Sequence, residues 1–264
     1  MIQKLEFLYG YCKHAISAQS KYSLHSPFAY HFYHDIIKNG EYDPHYKTVE
    51  RVRNDLIVFS RFIKRRDLGA KAKDEPCDQR FVRVKDIARK SSVSAEKGQL
   101  LYRLVRDLHP ENILELGTAF GISTLYLAFA APHSRIITIE GCLDTAHLAQ
   151  ENFDKVGMKN ITILNGSFEE KLPLALMELH SPDLVFVDGN HKKEATLHYF
   201  EECLQHIHPE SVFVFDDIHW SSGMNSAWKQ IKAHPRVRVT FDLFYLGIVF
   251  FKEELSKEDF IIKF

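Results

Sequence analysis

Acidic residues and glycines stand where five predicted strands end, and these residue types can bind a ligand. The stretch ILELGTAFGIST, residues 113–124, ends a short apolar run in a carboxylate and continues into a turn with two glycines. The later strands end in Glu140–Gly141, Asn165–Gly166–Ser167, Asp188–Gly189–Asn190–His191 and Asp216–Asp217. A packed core needs neither feature. The pattern therefore predicts that a ligand lies against these strand ends.

The first glycine turn and the acid after the second strand indicate a nucleoside. Gly117 and Gly121 allow the backbone to pass close to a ligand and leave the N-terminal N–H groups of the next helix facing it. Ser123, in the first turn of that helix, is a candidate to bind a carboxylate. Glu140 follows Gly117 by 23 residues, where an acid accepts hydrogen bonds from both ribose hydroxyls. The alternative is that the glycines only close a turn and Glu140 caps the next helix.

The carboxylate before the turn discriminates between nucleoside ligands. A dinucleotide site usually reads G-x-G-x-x-G, and its second glycine makes room for pyrophosphate. Here Thr118, Ala119 and Phe120 separate the glycines, and Glu115 precedes the turn. Its negative charge would repel pyrophosphate but could hold an ammonium group. Adenosine joined to an amino acid describes S-adenosylmethionine (SAM), so an NAD-linked oxidoreductase is disfavoured.

The elements that carry these residues alternate between helix and strand from about residue 94 onward. Short, apolar, β-branched strands separated by amphipathic helices predict an α/β fold with a doubly wound parallel sheet. Two consecutive strands near the C-terminus, in VRVTFDLF and GIVFF, are close enough to form an antiparallel hairpin.

The first 90 residues follow a different pattern, and we predict a helical N-terminal extension there. Apolar residues recur at helical spacing near residues 2–12, in PFAYHFYHDII after Ser26, and from Val49 through Phe59 to Ile63. Residues 66–82 are polar and interrupted by glycine and proline, which predicts a long loop. We expect the extension to contact substrate, to act as a lid or to contact a second subunit.

Composition limits the class of protein and its partners. At 264 residues and 45% hydrophobic, the chain can bury a full core. No apolar run reaches the roughly 18 residues needed to span a bilayer, and the four cysteines show no metal or redox spacing. We therefore expect a cytoplasmic protein without a membrane segment. Residues 1–97 hold 19 basic and 12 acidic residues, whereas residues 98–264 hold 15 and 23. This asymmetry leaves nucleic acid open as a partner, but the two halves can also complement each other within the fold or across a homodimer.

The motifs ELGTAFG, IEG and NGS, with the terminal hairpin, resemble class I SAM-dependent methyltransferases from residue 93 to the C-terminus. SVSAEKGQLL, VFVDGNH and VFDDIHW resemble more narrowly the metal-dependent O-methyltransferases, which include catechol-type and macrolide-sugar enzymes. The resemblance implies a Rossmann-like sheet of order 3-2-1-4-5-7-6 with an antiparallel last strand. It also implies a methyltransferase domain over residues 91–264 behind an extension over residues 1–90.

The resemblance also implies residue roles. Cofactor binding would fall to Val93, Glu115, Gly117, Gly121, Ser123, Glu140, Gly166, Ser167 and Asp188. Metal binding would fall to Asp188, Asp216 and Asp217, the last of which is Asn in catechol-type enzymes. His191 stands where these enzymes carry a general base, and Lys192 is the fallback base.

The chemistry of these residue types agrees with a metal site. Three converging carboxylates repel one another unless a cation lies among them, and an all-oxygen site suits Mg²⁺, with Mn²⁺ or Ca²⁺ as alternatives. A metal would acidify and fix an acceptor hydroxyl, and a histidine can remove its proton at neutral pH. Other interpretations stay open: Asp188 as an acid that lines the cofactor pocket without metal, Asp216–Asp217 as a loop cap, and His191 as an exposed loop residue.

The sequence thus predicts a SAM-dependent methyltransferase that acts on a hydroxyl of a small molecule with a divalent cation. RNA methylation is the alternative raised by the basic N-terminal half. A protein that binds SAM or S-adenosylhomocysteine (SAH) without turnover is another.

Overall fold

The computed structural model describes residues 2–65 and 80–264. Most of the loop predicted over residues 66–82 lies outside these ranges, and residues 80–82 belong to a strand instead. The described chain has a mixed α/β fold with mostly parallel strands flanked by helices, which confirms the predicted fold class.

Regular elements cover most of the described residues. The helices are α1 Ile2–Ser17, α2 Pro27–His31, α3 Pro44–Val58, α4 Val84–Ser91, α5 Ala95–Leu108, α6 Ile122–Ala130, α7 Leu143–Lys155, α8 Phe168–Leu179, α9 Lys193–Leu204 and α10 Ser222–Ala233, with a 3-10 turn at Lys21–Ser23 and a π-helix at Phe32–Ile37. The strands are β1 Phe62–Arg65, β2 Arg80–Arg83, β3 Asn112–Leu116, β4 Arg135–Glu140, β5 Ile161–Asn165, β6 Leu184–Val187, β7 Val212–Asp216, β8 Val239–Asp242, β9 Leu246–Phe250 and β10 Glu258–Ile261.

The chain packs as two compact units, residues 1–39 with 181–264 and residues 40–180. This division by packing differs from the boundary predicted near residue 90. That boundary separates an added extension from a methyltransferase domain, and it stays a prediction.

The unit of residues 40–180 contains the parallel strands β3, β4 and β5, with β4 in the middle. Each strand is followed by a helix, so the three βα connections bring Glu115, Glu140 and Asn165 toward the same ends of the strands. The register pairs Glu115 with Thr138 and Glu140 with Asn165. The strands β3 and β4 are almost fully buried, as expected for strands covered on both faces.

The unit of residues 1–39 and 181–264 contains strands β6 to β10. Strands β6 and β7 are parallel, while β9 pairs antiparallel with both β7 and β8. The neighbours within each unit therefore follow the predicted order, and the predicted terminal hairpin is confirmed. The additional strand β10 pairs parallel with β8 and was not predicted.

The first 39 residues pack on these C-terminal strands through aromatic rings. Phe32 stacks on Phe241 with ring centroids 4.2 Å apart, and Phe28 meets Phe250 edge-on at 4.9 Å. The predicted start of α2 is confirmed, because Ser26 caps this helix by accepting a hydrogen bond from the Ala29 N–H.

One predicted helix in the first 90 residues is too long. The stripe that begins at Val49 ends with α3 at Val58, and Ile63 lies in β1, where it pairs with Val82. In the structure the side chains of FIKR point alternately outward and inward, with Ile63 buried between exposed neighbours, as in a strand. Its partner strand is distant along the chain, so local spacing could not reveal the pairing.

Candidate functional site

The turn between β3 and α6 adopts an unusual backbone conformation. Gly117 and Gly121 have φ angles of 108° and 81°, and Ala119 between them has 46°. The N–H groups of Gly117 and Thr118 both donate to the Ile139 carbonyl, at 3.0 and 3.2 Å. Gly121 is the N-cap of α6 and has no side chain to cap it. The first N–H groups of α6 therefore lie at an open helix N-terminus, which favours a negatively charged ligand group.

Gly121 has a packing role that the sequence did not reveal. A Cβ at this position would lie 2.3 Å from the Phe153 ring of α7. The missing side chain thus makes room for α7 as well as for the turn. The predicted role of Gly121 in cofactor binding stays a prediction.

Glu115 is fully buried at the end of β3 and only half satisfied. Its Oε2 accepts hydrogen bonds from the Thr124 and Thr138 hydroxyls, at 2.5 and 2.7 Å. Its Oε1 is buried and has no hydrogen-bond partner among the described residues. Burial raises the pKa of this carboxyl, and the hydroxyls of Ser123, Thr124 and Thr138 oppose the increase. A buried oxygen without a donor is costly, and a bound ammonium group would satisfy it.

Ser123 is buried and its hydroxyl lowers the pKa of Glu115, but no hydrogen bond joins it to Oε1 of that carboxylate. The sequence predicts that it binds a ligand carboxylate. A hydroxyl has a single proton to donate. Its role toward a ligand therefore stays a prediction.

Glu140, at the end of β4, accepts a backbone hydrogen bond at each carboxylate oxygen. Its Oε2 accepts from the Ala119 N–H at 2.8 Å and its Oε1 from the Cys142 N–H at 2.9 Å. Cys142 is the N-cap residue of α7, so Glu140 contacts the start of that helix through the backbone of Cys142. Burial raises the pKa of Glu140, and the two N–H groups lower it. Each oxygen keeps a second lone pair with which it could accept a ribose hydroxyl.

The remaining predicted cofactor residues of this unit border the same connections. Gly166 follows β5 with φ 153°, and a Cβ there would lie 2.5 Å from the Lys171 side chain. Ser167 caps α8 by accepting from the Glu170 N–H at 3.3 Å. Val93 is buried, one residue before the Ser94 cap of α5. Their contacts with a cofactor stay predictions.

In the unit of residues 1–39 and 181–264, the structure brings three predicted site residues together. Nε2 of His191 lies 3.8 Å from Oδ1 of Asp188 and 4.0 Å from Oδ2 of Asp217. Both carboxylates therefore border one imidazole nitrogen. Asp216, the last residue of β7, is buried, and Lys192 is exposed at the N-cap of α9.

The loop after β6 carries a second under-satisfied oxygen. Asn190 has a φ angle of 47°, and its Nδ2 donates to the Tyr199 hydroxyl at 3.1 Å. Its Oδ1 is buried and has no partner among the described residues. An amide oxygen is a ligand type that hard cations accept. However, within residues 2–65 and 80–264 no group of three or more His, Cys, Asp or Glu side chains is placed to hold a metal ion.

Asp242, at the end of β8, is the centre of a buried polar network that the sequence did not reveal. Its carboxylate lies 3.0 Å from Nε2 of His14 and 2.9 Å from Nε2 of His219, and it accepts from the Trp228 indole N–H at 2.9 Å. The ring of His219 also contacts the Asn225 side chain through Nδ1.

This network shifts the pKa values of two of its members, Asp242 and His219. Burial alone would raise the pKa of Asp242, but hydrogen bonds from His14 and His219 outweigh it and hold the pKa far below its usual range. Burial lowers the pKa of His219, and its bond and charge interaction with Asp242 raise it by more. Trp228, whose indole N–H donates to Asp242, is buried in the core, whereas Trp220 is 46% exposed.

Comparison with known protein families matches part of the chain. A protein family described as a methyltransferase domain matches residues 114–218, which include the turn after β3, Glu140 and Asp188. Residues 114–218 of this chain therefore form a methyltransferase domain.

Curated relatives agree with the family. Over 130 residues the chain is 35% identical to a catechol O-methyltransferase of Niastella koreensis, a match that covers 48% of this chain and 58% of that protein. A match to a catechol O-methyltransferase of Mycobacterium tuberculosis is 29% identical and covers 50% of this chain and 60% of that protein. The matches thus span somewhat more than half the length of these two relatives.

Solved structures extend the likeness in fold. The SAH-bound methyltransferase of Podospora anserina superposes with a TM-score of 0.60, covers 87% of this chain and 97% of its own, and is 16% identical. At this identity the likeness concerns the fold alone.

Several polar contacts in the structure were not predicted from the sequence. Thr138 is a polar residue inside the apolar strand RIITIE, and that position could have marked it as a partner of Glu115. His14 and Asp242 are 228 residues apart, and no local pattern links them.

No helix among the described residues is both long and apolar enough to cross a membrane.

Proposed function

We propose that this chain is a SAM-dependent O-methyltransferase that transfers a methyl group to a hydroxyl of a small molecule. The observation that carries the proposal is the fully buried Glu115 with one oxygen that no described donor satisfies. A carboxylate in this position fits the ammonium group of SAM. It would oppose the pyrophosphate of a dinucleotide, because two negative charges in a buried site repel strongly.

The neighbouring groups support the same ligand. Glu140 has lone pairs left for the two ribose hydroxyls after accepting from Ala119 and Cys142. The open N-terminus of α6 favours the carboxylate of the methionine portion. Gly117, Gly166, Ser167 and Val93 would complete the contacts to the nucleoside and the methionine portion.

We further propose that His191 is the general base. Methyl transfer from a sulfonium needs a nucleophilic oxygen, so the acceptor hydroxyl must lose its proton. The carboxylates of Asp188 and Asp217, within 4.0 Å of Nε2, stabilise the positive charge that His191 gains with this proton. Lys192, exposed on the adjacent position, is the alternative base.

The same carboxylates would hold a divalent cation. Asp188, Asp216 and Asp217 offer hard oxygen donors, and the unsatisfied Oδ1 of Asn190 lies in the same loop as Asp188. The oxygen chemistry of these donors suits Mg²⁺, although the described side chains are not grouped closely enough to hold an ion in this structure. When bound, such an ion would lower the pKa of a coordinated hydroxyl and fix its position.

The names of the relatives support a hydroxyl as the acceptor, since the Niastella koreensis protein is a catechol O-methyltransferase. We propose the cytoplasm as the location, in line with the free thiols of Cys12, Cys142 and Cys203. The hydroxyl acceptor and the cytoplasmic location are both proposals about the whole protein.

Calorimetry with SAM, SAH and NAD, each with and without Mg²⁺, tests the cofactor. SAM and SAH should bind and NAD should not. Binding of NAD together with no heat from SAM or SAH would contradict the proposal. If SAH binds but no acceptor is methylated under any metal condition, the chain is a SAH-binding protein without turnover.

Paired variants test the metal and the base. Asp188→Ala should weaken Mn²⁺ binding at least about tenfold, whereas Asp183→Ala should not, although Asp183 also pairs with a histidine, His208, at 2.8 Å. On an identified acceptor, His191→Ala should lower kcat about 10²- to 10⁴-fold, and His208→Ala should leave it unchanged. Unchanged metal binding in Asp188→Ala, or unchanged kcat in His191→Ala, would contradict the respective role.

A further inference from the structure

Strand β1 is fixed against the start of α7, the helix that follows Glu140. The Lys64 N–H donates to Oδ2 of Asp144 at 2.8 Å, and the Cys142 thiol donates to the Lys64 carbonyl at 3.5 Å. Farther along the helix, Arg61 pairs with Glu151 at 3.4 Å. Ile63 between these contacts is buried. Both backbone groups of residue 64 thus contact the N-terminal end of α7, where the Cys142 N–H donates to Glu140, and residue 65 follows directly in the chain.

Residue 65 is an arginine whose charge acts on Glu140. Burial raises the pKa of Glu140 most, the N–H groups of Cys142 and Ala119 and the charge of Arg65 lower it, and the charge of Glu115 raises it. Asp144, the acid in the first turn of α7, is engaged by the Lys64 N–H. Arg65 therefore opposes the two effects that favour a neutral Glu140, namely burial and the nearby carboxylate of Glu115.

We infer that Arg65 is a cofactor-positioning residue: β1 holds its guanidinium near Glu140, so that the Glu140 carboxylate keeps its charge and its orientation toward the ribose hydroxyls. This inference rests on the proposed function, because it takes Glu140 as the residue that binds ribose. It assigns a role in the SAM site to the strand pair β1–β2, which lies outside the matched methyltransferase domain at residues 114–218.

The inference has a chemical reason. A carboxylate accepts hydrogen bonds from both ribose hydroxyls only while it is ionised, since a protonated acid turns one oxygen into a donor. Two buried acids in one unit disfavour the ionised state of each other. A cation held by the backbone contacts of residue 64 offsets this effect without occupying the lone pairs that the ribose needs.

Calorimetry of SAH binding between pH 5.5 and 8.5 tests the role of Arg65. Arg65→Met should weaken binding about tenfold at neutral pH, and its loss of affinity on acidification should begin at a higher pH than in the wild type. Arg65→Lys, which keeps the charge, should stay within about threefold. The matched control is Arg61→Met in the same segment, which removes only the half-exposed pair with Glu151 and should bind SAH normally.

A double-mutant cycle with Glu140→Gln separates positioning from a general structural effect. In the Glu140→Gln background the amide cannot ionise, so Arg65→Met should change SAH affinity less than about twofold. Equal losses in both backgrounds, or an Arg65→Met variant that binds SAH as Arg61→Met does at every pH, would overturn the inference. If the wild type itself fails to bind SAH, the proposed function fails and the inference falls with it. Wild-type binding with an unaffected Arg65→Met variant refutes the inference alone.

Discussion

Replacement of Glu115 by glutamine should weaken the binding of the cofactor. The same change should stabilise the protein that has no ligand bound. Glu115→Gln keeps the size of the side chain and an oxygen that can accept from the Thr124 and Thr138 hydroxyls. It removes the negative charge that, in the proposed complex, faces the ammonium group of SAM. The two effects have opposite signs because the charge is costly in the empty site and favourable only when a cation faces it.

The size of each effect follows from the burial of Glu115. A hydrogen bond between charged groups contributes about 1.5 to 3 kcal/mol, so the variant should bind SAM and SAH about ten- to hundredfold more weakly. In the protein without ligand, the pKa of Glu115 is raised by burial. A raised pKa means that its ionisation costs stability as the pH rises above the unfolded value near 4.3. The variant should therefore have a higher Tm than the wild type at pH 7 and a similar Tm near pH 4.

Differential scanning calorimetry at pH 4 and pH 7, together with titration calorimetry of SAH at pH 7, measures both effects. Thr240→Val is a control for polar substitution in a buried strand, because Thr240 is fully buried and bonds Asp259 rather than any predicted site residue. It should leave the SAH affinity unchanged. Unaltered SAH affinity in Glu115→Gln would refute the proposal that Glu115 binds the ammonium group of the cofactor. A lower Tm at pH 7 would show instead that the Glu115 charge is compensated within the protein.

Two further variants test the packing around the candidate site. Asp242→Asn should lower the free energy of unfolding by about 3 kcal/mol at pH 7, because it leaves His219 without its buried counter-charge. Since the pKa of Asp242 is lowered by folding, this difference should shrink as the pH falls below about 4 in urea unfolding; a constant difference would contradict the ionic role. Gly121→Ala should lower the free energy of unfolding by about 2 to 4 kcal/mol, from its positive φ and its overlap with Phe153. Phe153→Leu should relieve part of that loss, and strictly additive effects of the two changes would refute the overlap.

The sequence was sufficient for the features that depend on local spacing. The alternation of apolar helices and strands from residue 94 defined the α/β fold, because each element shows its own period of burial. The glycine turn and Glu140 could be located because the βα connection is short and leaves few conformations open to it. The confirmed neighbours of β9 follow from the same kind of pattern, since a hairpin joins strands that are close in the chain.

Contacts between residues far apart in the chain required the tertiary structure. The pairing of β1 with β2, the added strand β10 and the packing of the first 39 residues on the C-terminal strands all join segments with no local signature. The helix predicted through Ile63 failed for the same reason. A four-residue strand gains its stability from a partner that the neighbouring sequence does not contain.

The candidate site divides in the same way. Residue types and their order determined which acids end the strands, and thus the kind of ligand they could bind. Only the structure showed that Glu115 has one unsatisfied oxygen, that His191 lies beside Asp188 and Asp217, and that Asp242 is buried among His14, His219 and Trp228. Burial and hydrogen-bond satisfaction depend on all the atoms that surround a group. The sequence specifies the group, and its charge and its availability to a ligand are decided when the chain folds around it.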